Sequence, residues 1–198
     1  MVNILEIKRK LFHLLSGLVL VILIDLGIFN WISLLIIFIL GLAFSFLIKR
    51  KIRVPIVSWL LDHMDREHDL KKFPGKGPIY FVLGCLISVL LFEKNIALAS
   101  IIILTIGDSV GALFGLHFGN IKNPLNRNKF IEGTIIGIIL AFVGACIFVN
   151  YKEAFFGALF GMLIESIELR LNKDIKIDDN LTVPIVSGLV IYLLRRFG

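Results

Sequence analysis

Charge is scarce in this chain. Asp, Glu, Lys and Arg make up 18% of its 198 residues, against about 25% in ordinary soluble domains. The apolar share is 58%, above the ~45–50% of such domains. That balance excludes a soluble domain of ordinary composition. Cysteine is nearly absent. Cys85 and Cys146 both lie in apolar runs, so no disulfide framework or cysteine metal site is expected. The pattern G-x-x-x-x-G-K-[ST] occurs nowhere, which excludes a Walker-type nucleotide loop. No A-x-A-like site follows the first apolar run, so no cleavable leader is expected. A full internal repeat is also missing, which argues against transporters built from paired halves. The net charge of +6 fits membrane topology, and nucleic acid is not expected as a partner.

What is abundant is apolar sequence in long runs. Seven segments stand out: Leu11–Phe29, Trp31–Ile48, Ile79–Phe92, Ile96–Phe118, Ile131–Val149, Ala154–Leu171 and Leu181–Phe197. A helix needs about 20 residues to cross a bilayer core, so the third is short. The expectation is an all-α, polytopic integral membrane protein of about seven transmembrane helices, forming one domain over residues 1–198. Charge sets the orientation. With the N-terminus in the cytoplasm, 17 of the 21 basic residues fall inside; only Lys94, Lys152, Arg195 and Arg196 fall outside. The terminal Arg195-Arg196 pair fits least well and is assigned to snorkelling or lipid head groups.

The chain is organised around Thr105–Gly133. Asp108 is the only charged residue in the apolar run from Ile96 to Leu116. An acid at membrane depth costs at least ~2.5–3.5 kcal/mol on insertion scales, so its default reading is functional. Gly107, Gly111, Gly115 and Gly119 recur every fourth residue and line one helix face, where a backbone or a ligand can come close. A polar loop follows with Lys122, Asn126, Arg127, Asn128 and Lys129, and then Glu132-Gly133 opens the next apolar run. Glycine rows usually mean helix packing, and basic loops usually mean cytoplasm. Asp108 and Glu132 have no such plain explanation. Together the stretch suits a bound metal and a polyphosphate.

Other polar residues collect around the same side. Arg9 and His13 are i,i+4 neighbours on the first helix and suit a phosphate clamp. The loop 49–78 alternates Ile56, Val57, Trp59, Leu60, Leu61 and Met64 with polar residues, the pattern of an interfacial amphipathic helix. His63 and His68, with the acids around them, read as a solvated face. In Phe73-Pro74-Gly75-Lys76-Gly77-Pro78, glycines flanking Lys76 leave backbone N–H groups for an anion. Glu165 and Glu168 share a helical face near the end of the sixth segment. Asp178-Asp179-Asn180 precede Pro184, which either kinks a helix begun at these residues or marks an unwound entry.

These residues resemble a known family over most of the chain. RKLFH at Arg9–His13, FPGKGPIYFVLG at Phe73–Gly84, IGDSVGALFGLHFG at Ile106–Gly119, NKFIEGT at Asn128–Thr134 and DDNLTVPIVSG at Asp178–Gly188 are similar to the CTP-dependent polyprenol kinases. That group includes dolichol kinase, phytol kinase and a CTP-using diacylglycerol kinase. The resemblance implies transfer of the γ-phosphate of CTP to a lipid alcohol at the cytoplasmic face, with the bilayer and the lipid alcohol as partners. NKFIEG is also similar to a signature of CTP:phosphatidate cytidylyltransferases. A cytidylyltransferase making a CDP-activated lipid is therefore the alternative, and a membrane transporter the second.

Phosphoryl transfer needs phosphate charge neutralised and the nucleophile placed in line. Mg²⁺ prefers a few carboxylates plus phosphate oxygens. Asp108, Asp179 and Asp178 are the expected metal ligands. Lys122, Lys129 and Lys76 are expected on the phosphates, with Arg9, His13, Asn128, Gly133 and Asn180 beside them. Glu132 is expected to orient Lys129 or read the ribose, and Glu168 or Asp108 to accept the proton of the lipid hydroxyl. The glycine faces permit a homodimer.

Overall fold

The computed structural model describes residues 4–167, 169–172 and 175–198, with main chain alone at 170–172 and 175–176. The chain is helical: α1 Ile4–Asp25, α2 Trp31–Lys49, α3 Pro55–Met64, α4 Glu67–Lys72, α5 Lys76–Leu91, α6 Lys94–Phe118, α7 Ile131–Ala145, α8 Tyr151–Glu165 and α9 Asp179–Phe197. A short antiparallel pair, β1 Arg170–Asn172 with β2 Ile175–Lys176, joins α8 to α9 and lies outside the all-α expectation. Each of the seven apolar segments overlaps one helix, α1, α2 or one of α5 to α9. Among the described residues, three helices, α2, α6 and α9, are long and apolar enough to cross a membrane.

Local chemistry sets the helix ends. Asn30 accepts hydrogen bonds from the N–H groups of Ile32 and Ser33 and starts α2. Asn150 does the same for α8 through Glu153. Pro55 opens α3, where a missing N–H costs nothing. Gly75 takes a left-handed conformation, φ 73°, before α5. Asp178 caps α9 through the N–H of Asn180. Pro184 lies inside α9, so the helix begins at Asp179 and the unwound alternative is set aside. Proline cannot donate to the carbonyl of Asn180. Gly84 of α5 packs directly over that carbonyl, where a side chain would collide.

The hub is α6. Every residue from Ile96 to Thr105 is buried, as expected of a helix that is apolar all round. α1, α5, α7, α8 and α9 surround it. By contrast α2 leaves Ile32, Ile36, Ile39, Leu40 and Phe46 exposed, and α1 does the same with Leu15, Val19 and Ile22. Water would penalise such a surface; lipid would not.

The glycine row proves to be a seat for backbone. A Cβ at Gly111 would lie 2.8 Å from the carbonyl oxygen of Gly133, and one at Gly137 2.9 Å from that of Gly107. α7 therefore crosses α6 with backbones in contact. Gly137→Ala should push the helices apart and lower stability by about 1–3 kcal/mol, the usual cost of overpacking. The measurement is the melting temperature in detergent, and an unchanged value would remove the close crossing.

The helices run so that α1, α5, α7 and α9 begin where α6 and α8 end. The far end of the bundle carries its own ion pairs. Arg195 bonds the nearly buried Glu153 at 2.7 and 3.1 Å and reaches Glu93 at 3.2 Å, while Lys94 pairs with Asp25 at 3.1 Å. Arg196 donates to the Tyr192 hydroxyl at 2.7 Å. Arg195 is thus committed to protein carboxylates rather than to lipid.

Candidate active site

At the end where those four helices begin lies a cavity of about 770 Å³. It falls within the ~300–1,000 Å³ typical of small-molecule sites. α1 faces it with Glu6, Arg9, Lys10, His13 and Ser16, one helical stripe at three- and four-residue spacing. α3 closes one side with Leu60, Leu61 and Met64 while Ile56 and Trp59 point outward, the amphipathic helix expected from sequence.

Three carboxylates meet at its base. Asp108 of α6, Glu165 at the end of α8 and Asp179 at the start of α9 each place an oxygen within 4.8 Å of the others. Asp108 and Glu165 are buried. Two lysines partner them. Lys10 Nζ donates to both oxygens of Asp108 at 2.6 Å. Lys129 donates to the Glu165 carboxylate, to the Glu165 carbonyl at 2.8 Å and to Asp179 at 3.3 Å. Burial works against the Lys129 charge, but Glu165 and Asp179 outweigh it and hold the ammonium above the ordinary lysine range. His13 stands edge-on to Phe81, with ring centroids 4.6 Å apart. Its Nε2 lies 3.9 Å from Asp108 with no hydrogen-bond partner among the described residues.

The rim is built from the loops. Arg9 and Arg66 both bond Glu6, at 3.2 and 3.1 Å. Asp65 is buried and accepts the Gly75 N–H at 2.8 Å, which ties the turn before α5 to the end of α3. Burial pushes its carboxyl above the ordinary range, against the pull of that N–H. Asp178 faces Lys76 at 3.9 Å and accepts from the Asn180 side chain at 2.9 Å. Burial and the neighbouring Asp179 push it up to about 6.

The structure brings Arg9, His13, Lys76, Asp108, Asn128, Lys129, Gly133, Asp178, Asp179 and Asn180 to one cavity. Three expectations change. Glu132 turns away from the cavity and accepts the N–H groups of Asn120 and Ile121 at 3.0 Å, clasping the loop that carries Lys129. It is a fastening of the 120s loop, and Lys129 is oriented by Glu165 and Asp179 instead. Lys122 sits over the Phe130 ring at 3.7 Å, outside the cavity. Asp178 caps α9 and faces Lys76, so Glu165 takes its place among the three clustered acids. Glu168 lies outside the described residues.

Lys10 is the residue that sequence reasoning passes over, because a Lys-Arg-Lys run reads as a topology anchor. The signal is present: Lys10 and His13 are three apart on the polar stripe of α1. Glu165 is visible as a deep acid but has no partner in sequence to recommend it.

The fold and cavity define a class: helical bundles with apolar outer surfaces and a charged chamber at one end. Comparison with known proteins narrows it. The chain is 32% identical over 190 residues to an uncharacterized protein of Methanocaldococcus jannaschii, covering 94% of this chain and 92% of that one. It is 32% identical over 144 residues to farnesol kinase of Arabidopsis thaliana, covering 67% and 45%. With phytol kinase 1 of the same plant it shares 26% over 207 residues, covering 95% and 66%. The chain belongs to one family with the Methanocaldococcus jannaschii protein, and it is similar over shared segments to the proteins named farnesol kinase and phytol kinase. It spans less than half of the farnesol kinase and about two thirds of phytol kinase 1. No family model and no solved structure matches.

Proposed function

We propose that the protein is a lipid kinase that transfers the γ-phosphate of CTP to the hydroxyl of an isoprenoid alcohol. Relatives named farnesol kinase and phytol kinase support the reaction class. The observation that carries the reading is the base of the cavity, where Asp108, Glu165 and Asp179 converge with Lys10 and Lys129. CTP as the donor rests on the five motifs that this chain carries.

A divalent cation fits these residues. Three carboxylate oxygens within 4.8 Å form a hard oxygen donor set, and His13 Nε2 is left orphaned beside them among the described residues. Asp108, Glu165 and Asp179 would hold it. Bound there, Mg²⁺ would neutralise phosphate oxygens and draw charge from the leaving diphosphate.

The chain's own residues do the rest. Lys129, fastened to two acids at the base, fixes the deep end of the phosphate path. Lys76 and Arg9 line the cavity, where their cations face incoming phosphates. Asp178 and Asn180 hold the start of α9 against Gly77 of α5, so two helix N-termini border the same space. Leu60, Leu61, Met64 and Phe81 give the cavity an apolar side for the first isoprene units. The lipid hydroxyl then meets the γ-phosphate near Asp108, the acid placed to accept its proton.

Orientation belongs to the same proposal. The cavity end holds the N-terminal Lys8-Arg9-Lys10 cluster and the loops before α5 and α7, so it faces the cytoplasm in a seven-span bundle.

One assay tests these statements. Membrane vesicles of either orientation receive γ- or α-labelled CTP with a panel of prenols and prenyl phosphates. The expected result is label in the prenol from the γ position, and only when CTP reaches the cytoplasmic face. Label from the α position would mean a cytidylyltransferase.

A further inference from the structure

We propose that Lys10 is an internal counter-ion that keeps the acid cluster closed to a free divalent cation, so that metal enters only together with nucleotide phosphates. The inference rests on the kinase reading above and adds an order of binding to it.

Asp108, Glu165 and Asp179 bring three carboxyl groups within 4.8 Å of one another. Such a cluster would draw a divalent cation out of solution without help from a substrate. Lys10 and Lys129 each bring a positive charge onto this cluster. They do so in different ways. Lys129 has three oxygen partners, on α8 and α9, and comes from a loop fastened by Glu132. It is anchored. Among the described residues, the Lys10 ammonium has Asp108 as its only hydrogen-bond partner, at 2.6 Å to both carboxylate oxygens. It therefore occupies both oxygens of Asp108, including the one that a cation would use.

Displacing Lys10 is favourable only if its ammonium gains another anion. Its side chain is 17% exposed and borders the cavity, so the long stem can carry the charge upward. The neighbouring rim carries the cations Arg9 on α1 and Lys76 on α5, and its acids already have partners: Glu6 is bonded to Arg9 and Arg66, Asp65 to the Gly75 N–H, Asp69 lies beside His68, and Asp178 is bonded to Asn180 and faces Lys76. A cation arriving alone would expel Lys10 into this positive surrounding. A metal–triphosphate complex brings the cation for the acids and phosphate oxygens for Lys10, Lys76 and Arg9 at once. Metal and nucleotide should then bind cooperatively, and by linkage the coupling is the same from either side. Lys10 is on this account a positioning residue for both.

The test is Mn²⁺ binding to the full chain in detergent, followed by electron paramagnetic resonance, with and without a non-hydrolysable CTP analogue. Wild type is expected to bind Mn²⁺ at least ten-fold more tightly with the analogue. Lys10→Met is expected to bind Mn²⁺ alone at least ten-fold more tightly than wild type, with little further gain from the analogue. Lys10→Arg keeps the charge and is expected to retain the cooperativity. The wild-type measurement stands without any variant. Mn²⁺ bound equally with and without the analogue would overturn the inference and leave the kinase reading intact. No Mn²⁺ binding under either condition would overturn both. Lys10→Met that binds Mn²⁺ no better than wild type would remove Lys10 as the closing group.

Discussion

Asp108→Asn is expected to lower turnover by about 100- to 1,000-fold, the usual loss when one preorganised charge is removed from a reaction site. The fold should survive. Asparagine has the size of aspartate, and its amide oxygen still accepts a hydrogen bond from Lys10. The charge assistance is lost, which costs stability about 1–3 kcal/mol at most. Two readings of Asp108 separate here. If it serves only to neutralise Lys10 between helices, turnover stays near normal and stability alone falls. If it holds the cation and accepts the hydroxyl proton, turnover collapses at saturating CTP and Mg²⁺. Adding Asp179→Asn should then make matters little worse, because ligands of one ion act as a unit. Near-normal turnover in the single variant would sink the assignment.

Lys129→Ala should damage both stability and activity, and a second substitution should separate the two. Its loss strips Glu165 and Asp179 of the ammonium that pairs with them. Breaking a buried pair costs about 3–5 kcal/mol. Lys129 borders a cavity and is 24% exposed, so screening brings the expected cost down to about 1–3 kcal/mol. Lys129→Ala with Glu165→Gln removes the stranded charge. The double variant should regain most of the melting temperature and none of the turnover, since phosphate grip and metal ligation are both gone. Recovered turnover would show that Lys129 is structural. Lys94→Ala at the far end, exposed and paired with Asp25, should change stability by no more than about 0.5 kcal/mol.

Several particulars are legible in the sequence alone. The apolar runs form helices, the 105–133 stretch runs from the second half of the hub α6 into the first turn of its crossing partner α7, and Asp108 belongs to the acid cluster. The amphipathic pattern of Ile56–Met64 forms α3 with its apolar outer face. Other readings depend on direction. Glu132 adjoins the phosphate loop in sequence, yet its side chain turns back to the Asn120 and Ile121 N–H groups. The glycine face accommodates the α7 backbone at Gly133 and Gly137. Asp178 and Asp179 are neighbours in sequence, yet one caps a helix while the other joins the acid cluster.

Composition and periodicity alone determined the helical class and the seven apolar segments. These follow from the solvent each residue meets, and that preference is a property of the residue itself. The partners of the charges were decided only by tertiary structure. Lys10 reaches Asp108 across 98 residues of chain, and Lys129 reaches Glu165 across 36 and Asp179 across 50. Such meetings depend on the rotation of each helix about its axis and on how closely the helices cross. Contacts at Gly84, Gly111 and Gly137 help to set both; the glycine row marks a face for close approach, but which backbone takes it is decided by the packing.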